Sequence, residues 1–369
     1  MTRGQKTAVV GLLVAAVVAL LLWLLRGAPA DHDAAPASGR DPVADAGQEG
    51  PAAGRTTTTG AGARSSDDAG GPEPAAANAI ATFRWGSADD ALGRERQQEG
   101  NPEGPMSLAV GPDGSIWVLD QVNQRLVRLD ANGKRLGSTP LPVQAGQDVV
   151  VTKDGTALVL DRLVDKSVAV IGPDGKPRGE LPIEGKGLAE GGASTGLFHD
   201  GDDVLVEREH GDLVRIGKTS GKADPERGEV PGRPAKDGAN YFTMMLVDAT
   251  QGLVALTAVA KATLAHRYTR QLGFGQPIVN LVLLDTDAGG LAYVGAHVEL
   301  PGSSLESPKL GVVVLCVDGR DGSLLGRTSF VGNTVADESF RELTVSGDGS
   351  ILFLRRTEQA ATLERYRCQ

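Results

Sequence analysis

The chain has 369 residues, room for one large domain or two ordinary ones, and carries 37 Lys and Arg against 47 Asp and Glu, a net charge of −10. Its Arg residues lie among Asp and Glu with no basic stripe, which argues against a nucleic-acid partner, since phosphate binding needs concentrated positive charge. With 50 Gly, 20 Pro and 4% aromatic residues, the composition also argues against a core spread over the whole length.

After Arg3 and Lys6, residues 8–25 read AVVGLLVAAVVALLLWLL, an uncharged run of 18. At 1.5 Å per residue this just crosses a hydrocarbon layer of roughly 30 Å. Ala28-Pro29-Ala30 would suit a signal peptidase, but the run exceeds the usual apolar stretch of a cleaved signal, so a signal anchor is the expectation. Basic residues ahead of the run place residues 1–7 in the cytoplasm of a bacterial cell. The remainder then lies on the periplasmic or extracellular side of the inner, plasma membrane. Residues 26–79 are rich in Ala, Gly, Pro, Asp, Thr and Ser, show no sustained period, and read as a disordered linker. Such a tether spans on the order of 40 Å.

From residue 80 to 369 the texture changes to short Val, Leu and Ile runs broken by Asp-Gly turns, the pattern of an all-β domain of hairpins. VGPDGSIWVLD at 110–120 aligns without a gap on VTKDGTALVLD at 151–161, a period of 41 residues. HDGDDVLVE at 199–207 is a third copy, and weaker ones centre on Gly252, Gly290 and Gly349. Four strands per repeat of roughly 40 residues make one blade of a β-propeller. Six blades are predicted; five is the alternative, because the fourth copy is poorly marked. The last copy has only three strands, and the stray strand-like ATFRWG at 81–86 is expected to complete it, closing the ring at an otherwise open edge.

The stretch GPMSLAVGPDGSIWVLDQVNQRLVRLDANGK resembles the NHL-repeat family of propellers, with a Pro-initiated strand, an Asp-Gly turn, a strand ending in Asp and an Asn-x-Arg loop. The resemblance is specific over residues 83–135 and fades beyond about 182. It implies that Asp120 and Arg125 form an ion pair within the blade and that Asn123 caps the loop. Blade two keeps opposite charges at Asp161 and Lys166, and a residue repeated in successive blades belongs to the scaffold rather than to one catalytic centre.

Candidate functional residues are therefore sought where the repeat fails. Glu103, just before Gly-Pro, also resembles the first metal ligand of gluconolactonase-like propellers, which implies a Ca- or Zn-dependent lactonase or lyase as the alternative function. That family's Pro-Asn-Gly motif does not occur, and Asn240 and Asp248 are the nearest substitutes. Glu207, Glu209 and His210 form a ligand-face candidate in one loop. No nucleophile elbow or phosphate loop is found, and no cofactor is expected. Cys316 and Cys368 either pair, joining the last two blades, or remain separate buried thiols. The resulting expectation is a membrane-anchored, non-enzymatic binding or scaffolding module for a protein, peptide or glycan.

Overall fold

The computed structural model describes residues 78–96, 102–303 and 309–368. The apolar run 8–25 and nearly all of the expected linker lie outside them. The first strand, β1 (Ala79–Trp85), is followed by the short β2 (Ala91–Leu92). Blade one then comprises β3 (Ser107–Val110), β4 (Ile116–Asp120), β5 (Arg125–Leu129) and β6 (Arg135–Pro140). Blade two is β7 (Asp148–Val151), β8 (Ala157–Asp161), β9 (Ser167–Ile171) and β10 (Pro177–Pro182). Blade three is β11 (Ser194–Asp200), β12 (Asp203–Arg208), β13 (Leu213–Lys218) and β14 (Glu229–Val230).

Blade four is β15 (Arg233–Pro234), β16 (Asn240–Asp248), β17 (Leu253–Ala260) and β18 (His266–Gly273). Blade five is β19 (Ile278–Thr286), β20 (Leu291–Glu299), β21 (Leu310–Asp318) and β22 (Leu324–Val331). Blade six holds β23 (Leu343–Val345), β24 (Ile351–Arg356) and β25 (Ala360–Tyr366), with β1 as its fourth strand and β2 beyond it. The protein is a six-bladed β-propeller. Its clasp forms as expected: β1 runs antiparallel to β25, with Thr82 opposite Thr362 and Phe83 opposite Ala361.

Burial follows from position in the blade. The second strands β4 (IWVLD) and β8 (ALVLD) are buried at every residue because both of their faces meet a neighbouring blade. The outermost β6 and β22 alternate between half-buried and exposed residues. The core is accordingly a set of clusters between blades. Trp117, Leu119, Val149 and Val159 join blades one and two, Leu160, Val170, Val204 and Val206 blades two and three. Phe242, Leu256, Val294 and Leu315 join blades four and five, Tyr293, Val314 and Phe353 blades five and six, and Val118, Leu352 and Leu363 close the ring. Among the described residues no such cluster joins blades three and four, whose junction is polar.

The turn after the inner strand has Gly at positive φ in five of the expected places: Gly114 at 76°, Gly155 at 83°, Gly201 at 57°, Gly290 at 86° and Gly349 at 81°. A tight turn demands this left-handed backbone, which Gly adopts without a Cβ penalty. Blade four departs from the expectation. Gly252 lies between β16 and β17, the second and third strands, and the equivalent of the other five is Gly238, φ 75°, in Lys236-Asp237-Gly238 between β15 and β16. The fourth repeat therefore begins earlier in the chain than its apolar pattern suggests.

Candidate functional site

The acid repeated at the end of the second strand in blades one to three is the natural starting point. In blade one, Asp120 is fully buried; it accepts from Arg125 Nε at 2.8 Å and Asn123 Nδ2 at 2.9 Å through Oδ2, and from the Gly93 amide at 2.8 Å through Oδ1. Arg125 Nη2 also donates to the carbonyls of Ala88 and Ala91, and Asn123 Nδ2 to that of Gly86. The three residues thus tie blade one to the segment entering from the clasp. Blade two repeats the acid but not the pair. Asp161 accepts from the amides of Ala145, Leu163 and Val164, whereas Lys166 meets Glu184 at 2.8 Å. Backbone amides from the loop alone satisfy Asp161, so the cation beside it is released to the surface.

In blade three the same position is Glu207, and here the repeat turns toward the axis. Arg233 of blade four donates Nε to Oε1 at 2.7 Å and Nη2 to Oε2 at 3.1 Å, Thr195 Oγ1 donates at 3.0 Å, and His210 Nδ1 lies 3.7 Å away. Burial by itself would push the Glu207 carboxyl up, but Arg233, His210 and Thr195 together hold it down at about 2. The turn that follows, Arg208 to Gly211, is closed by the Gly211 amide on the Arg208 carbonyl, with Glu209 and His210 at φ 50° and 58°. Asn-Gly is the usual occupant of such a turn. Two bonds hold the less suited pair in place, Glu209 N–H to the Ala193 carbonyl and His210 N–H to Thr195 Oγ1.

Glu207 and His210 open onto a cavity of about 880 Å³ at the centre of the ring. Its floor is a network of carboxylates that staple the blades. Asp148, first residue of the inner strand of blade two, accepts from Ser107 Oγ of blade one at 2.7 Å and the Leu197 amide of blade three at 2.9 Å. Arg341, just before blade six, grips the same carboxylate with Nε at 3.0 Å and Nη2 at 2.6 Å. Asp285 of blade five takes Lys236 Nζ of blade four at 2.7 Å and the Val345 amide of blade six at 2.8 Å. Burial opposes ionisation of Asp285, but Lys236 and these donors win and its carboxyl lies below the usual range. Phe198 is flanked by two of the cations, Arg233 at 4.9 Å and Arg341 at 5.1 Å from the ring centre.

On the blade-six side, Glu342 accepts from Arg356 Nη2 at 2.8 Å and Asn333 Nδ2 at 2.5 Å, and His297 Nε2 stands 2.5 Å from Oε1 without hydrogen-bond alignment. The Glu342 carboxyl, which burial would raise, is lowered by His297 and Arg356. Opposite the charged floor is an apolar wall, formed by the ends of β16 and β19 that face the cavity mouth. Met245, 65% exposed, and Leu246, 41%, line it, and the exposed Val247 and Val279 lie beside lining residues in the chain but outside the lining.

Of the residues singled out in the sequence, Glu207 and His210 line this cavity, while Glu209 does not. Glu103 stands outside the lining. Its backbone bridges those of Glu95 and Glu338, and Gln121 Nε2 donates to its Oε2 at 3.2 Å. Burial and the charges of Glu95 and Glu338 raise its carboxyl. Among the described residues no three His, Cys, Asp or Glu side chains are grouped as a metal site. Asn240 is committed to the Gly319 carbonyl and Asp248 to the Gln251 amide. Cys316 on β21 and Cys368 after β25 form a disulfide, Cα atoms 6.4 Å apart, between blades five and six. Sequence reasoning missed Asp148, Arg233, Phe198, Arg341 and Glu342. None sits in a motif; for Asp148, Arg341 and Glu342 the one available signal is a charged residue at or just before an inner strand otherwise apolar or nearly so, and for Phe198 and Arg233 there is none.

No family model and no curated protein matches the chain. Solved structures are similar to it at low identity. A chain of hydrazine synthase from Kuenenia stuttgartiensis is similar at 14% identity over 71% of this chain and 78% of that one, TM-score 0.46. A member of the duf4221 family from Bacteroides vulgatus matches at 11% over 78% and 96%, TM-score 0.45. Virginiamycin B lyase from Staphylococcus aureus matches at 10% over 71% and 94%, TM-score 0.41. At such identities and scores the likeness carries nothing about ligand or chemistry.

Proposed function

We propose that this chain is a non-enzymatic binding module whose central cavity seats a protein, peptide or glycan ligand. In this reading residues 8–25 anchor it in a bacterial plasma membrane and the Ala/Gly/Pro-rich stretch carries the propeller clear of the surface on the periplasmic or extracellular side. The observation that supports binding over catalysis is the division of labour in the cavity. Glu207, Asp148 and Asp285 are committed to cations from other blades and Glu342 to Arg356 of its own, and a general base works best with a pKa near the working pH, which the Glu207 carboxyl, held at about 2, does not have. The apolar wall, by contrast, is left uncovered at the mouth, where a partner can bury it.

A photo-crosslinking residue placed at Met245 in the full chain tests this. Adducts are expected from Met245 and not from a control at Leu136, an exposed residue of the outer strand of blade one. Equal labelling from both positions would remove the cavity from consideration. Stoichiometric Ca or Zn in the purified protein, lost in Glu103→Ala, would replace this reading with the metal-dependent lactonase one. The anchor is tested separately: the full chain should resist alkaline extraction from membranes, and Leu13→Arg with Leu20→Arg should release it.

A further inference from the structure

We infer that blade four takes up an extended, uncharged polypeptide segment as a donated inner strand along β16; this rests on the reading of the cavity as the ligand seat. Blade four is built unlike the other five. Its inner strand β15 has two residues while the strand beside it, β16, has nine, and their pairing ends at Arg233 opposite Phe242. Beyond Phe242 the axial edge of β16 has no strand against it among the described residues.

The direction of the backbone groups follows from the pleat. The Asn240 carbonyl accepts from the Ala235 amide on the β15 side, and the Ala239 carbonyl accepts from the Lys261 amide on the β17 side. Successive residues alternate, so Met244 and Leu246 turn their amides and carbonyls toward the cavity, and Thr243 and Met245 turn theirs toward β17. Among the described residues no loop backbone or side chain bonds the Met244 or Leu246 amide. Folds usually blunt such an edge with charge, proline or a bulge. Here the bulge between Leu246 and Asp248, and the charge of Asp248 itself, come only at the far end.

The chemistry of the occupant follows from the same edge. Donors and acceptors that alternate at strand spacing are matched by another polypeptide backbone, whereas a glycan's hydroxyls have no such period. From Tyr241 to Val247, and from Ile278 to Leu284 on β19, the walls carry no charge, so a charged segment would lose hydration without a partner. Met245, Leu246 and Val279 are exposed and apolar, and Met adapts readily to different side chains. The segment that fits is Pro-free, four or five residues long, alternating in apolar side chains. It lies antiparallel to β16, in line with the direction of β15.

A phage-displayed library of random heptapeptides, panned on the full-length protein, tests the inference together with amide hydrogen exchange. Enriched peptides are expected to be apolar and alternating, to slow exchange at Met244 and Leu246, and to bind at least tenfold more weakly to Leu246→Pro, which removes an edge N–H that β17 does not use. Should that variant not fold, Met245→Glu places a charge on the exposed wall and is expected to weaken binding likewise. Peptides that slow exchange around Phe198 but not at Met244 and Leu246 would overturn the donated strand and leave the cavity reading standing. No enrichment would overturn the donated strand, and the cavity reading then stands or falls with the crosslinking at Met245. Slowed exchange at these amides in a dimer without peptide would assign the edge to a second copy of this chain.

Discussion

Removing the Asp148 carboxylate leaves Arg341 in the interior without its counter-charge and frees donors from three other blades. Asp148→Ala should therefore cost about 3–5 kcal/mol, the range for breaking a buried ion pair by deleting one partner, read as a lower denaturant midpoint. Lys166→Ala, whose partner Glu184 is also on the surface, should leave the midpoint unchanged. Glu207 supplies a pH test. Its folded carboxyl is depressed from 4.5 to about 2, so the stability it contributes is present above about pH 4.5 and is lost as pH falls toward 2. The contribution is about 3 kcal/mol in order of magnitude. Melting curves from pH 5 to 2.5 should fall less steeply in Glu207→Gln than in the unaltered protein. An equal slope would mean that other carboxyls, Asp285 and Glu342 first, carry the acid sensitivity.

The clasp is the element on which closure rests. Phe83 of β1 packs with Leu352, Leu354 and Leu363 of blade six and Leu108 of blade one, so Phe83→Ala should cost about 3–5 kcal/mol and speed exchange of β25 amides. Unchanged exchange in β25 would show that the blade holds without β1. The clasp was legible in the sequence because a last repeat with three strands requires a fourth. The phase of blade four was not. DATQGLVALTA matched the repeat by its apolar residues, but those lie on the long β16–β17 hairpin, while the structural equivalent, Lys236-Asp237-Gly238, follows an inner strand of only two residues. Hydrophobic pattern reports burial, and in blade four the buried hairpin is one strand further from the axis.

For the whole molecule, the least apolar seam is the one between blades three and four. Polar contacts hold it, Glu207 with Arg233 and the Tyr241 hydroxyl on Asp200 at 3.2 Å, where every other junction has a hydrophobic cluster among the described residues. The Cys316–Cys368 bond acts at the far side of the ring, between blades five and six. By loop-closure entropy a bond across 52 residues contributes about 4 kcal/mol, and Cys316→Ser with Cys368→Ser should lower Tm by about 5 °C. An unchanged Tm in the double variant would assign that closure to the clasp alone. The propeller class, five of the six Gly turns and the clasp were determined by the sequence itself, because they arise from local periodicity and from a count of strands. The cavity was decided only by the tertiary structure. Asp148 and Arg341 are 193 residues apart in the chain, and only closure of the ring brings their charges to one axis and leaves the edge of β16 facing them.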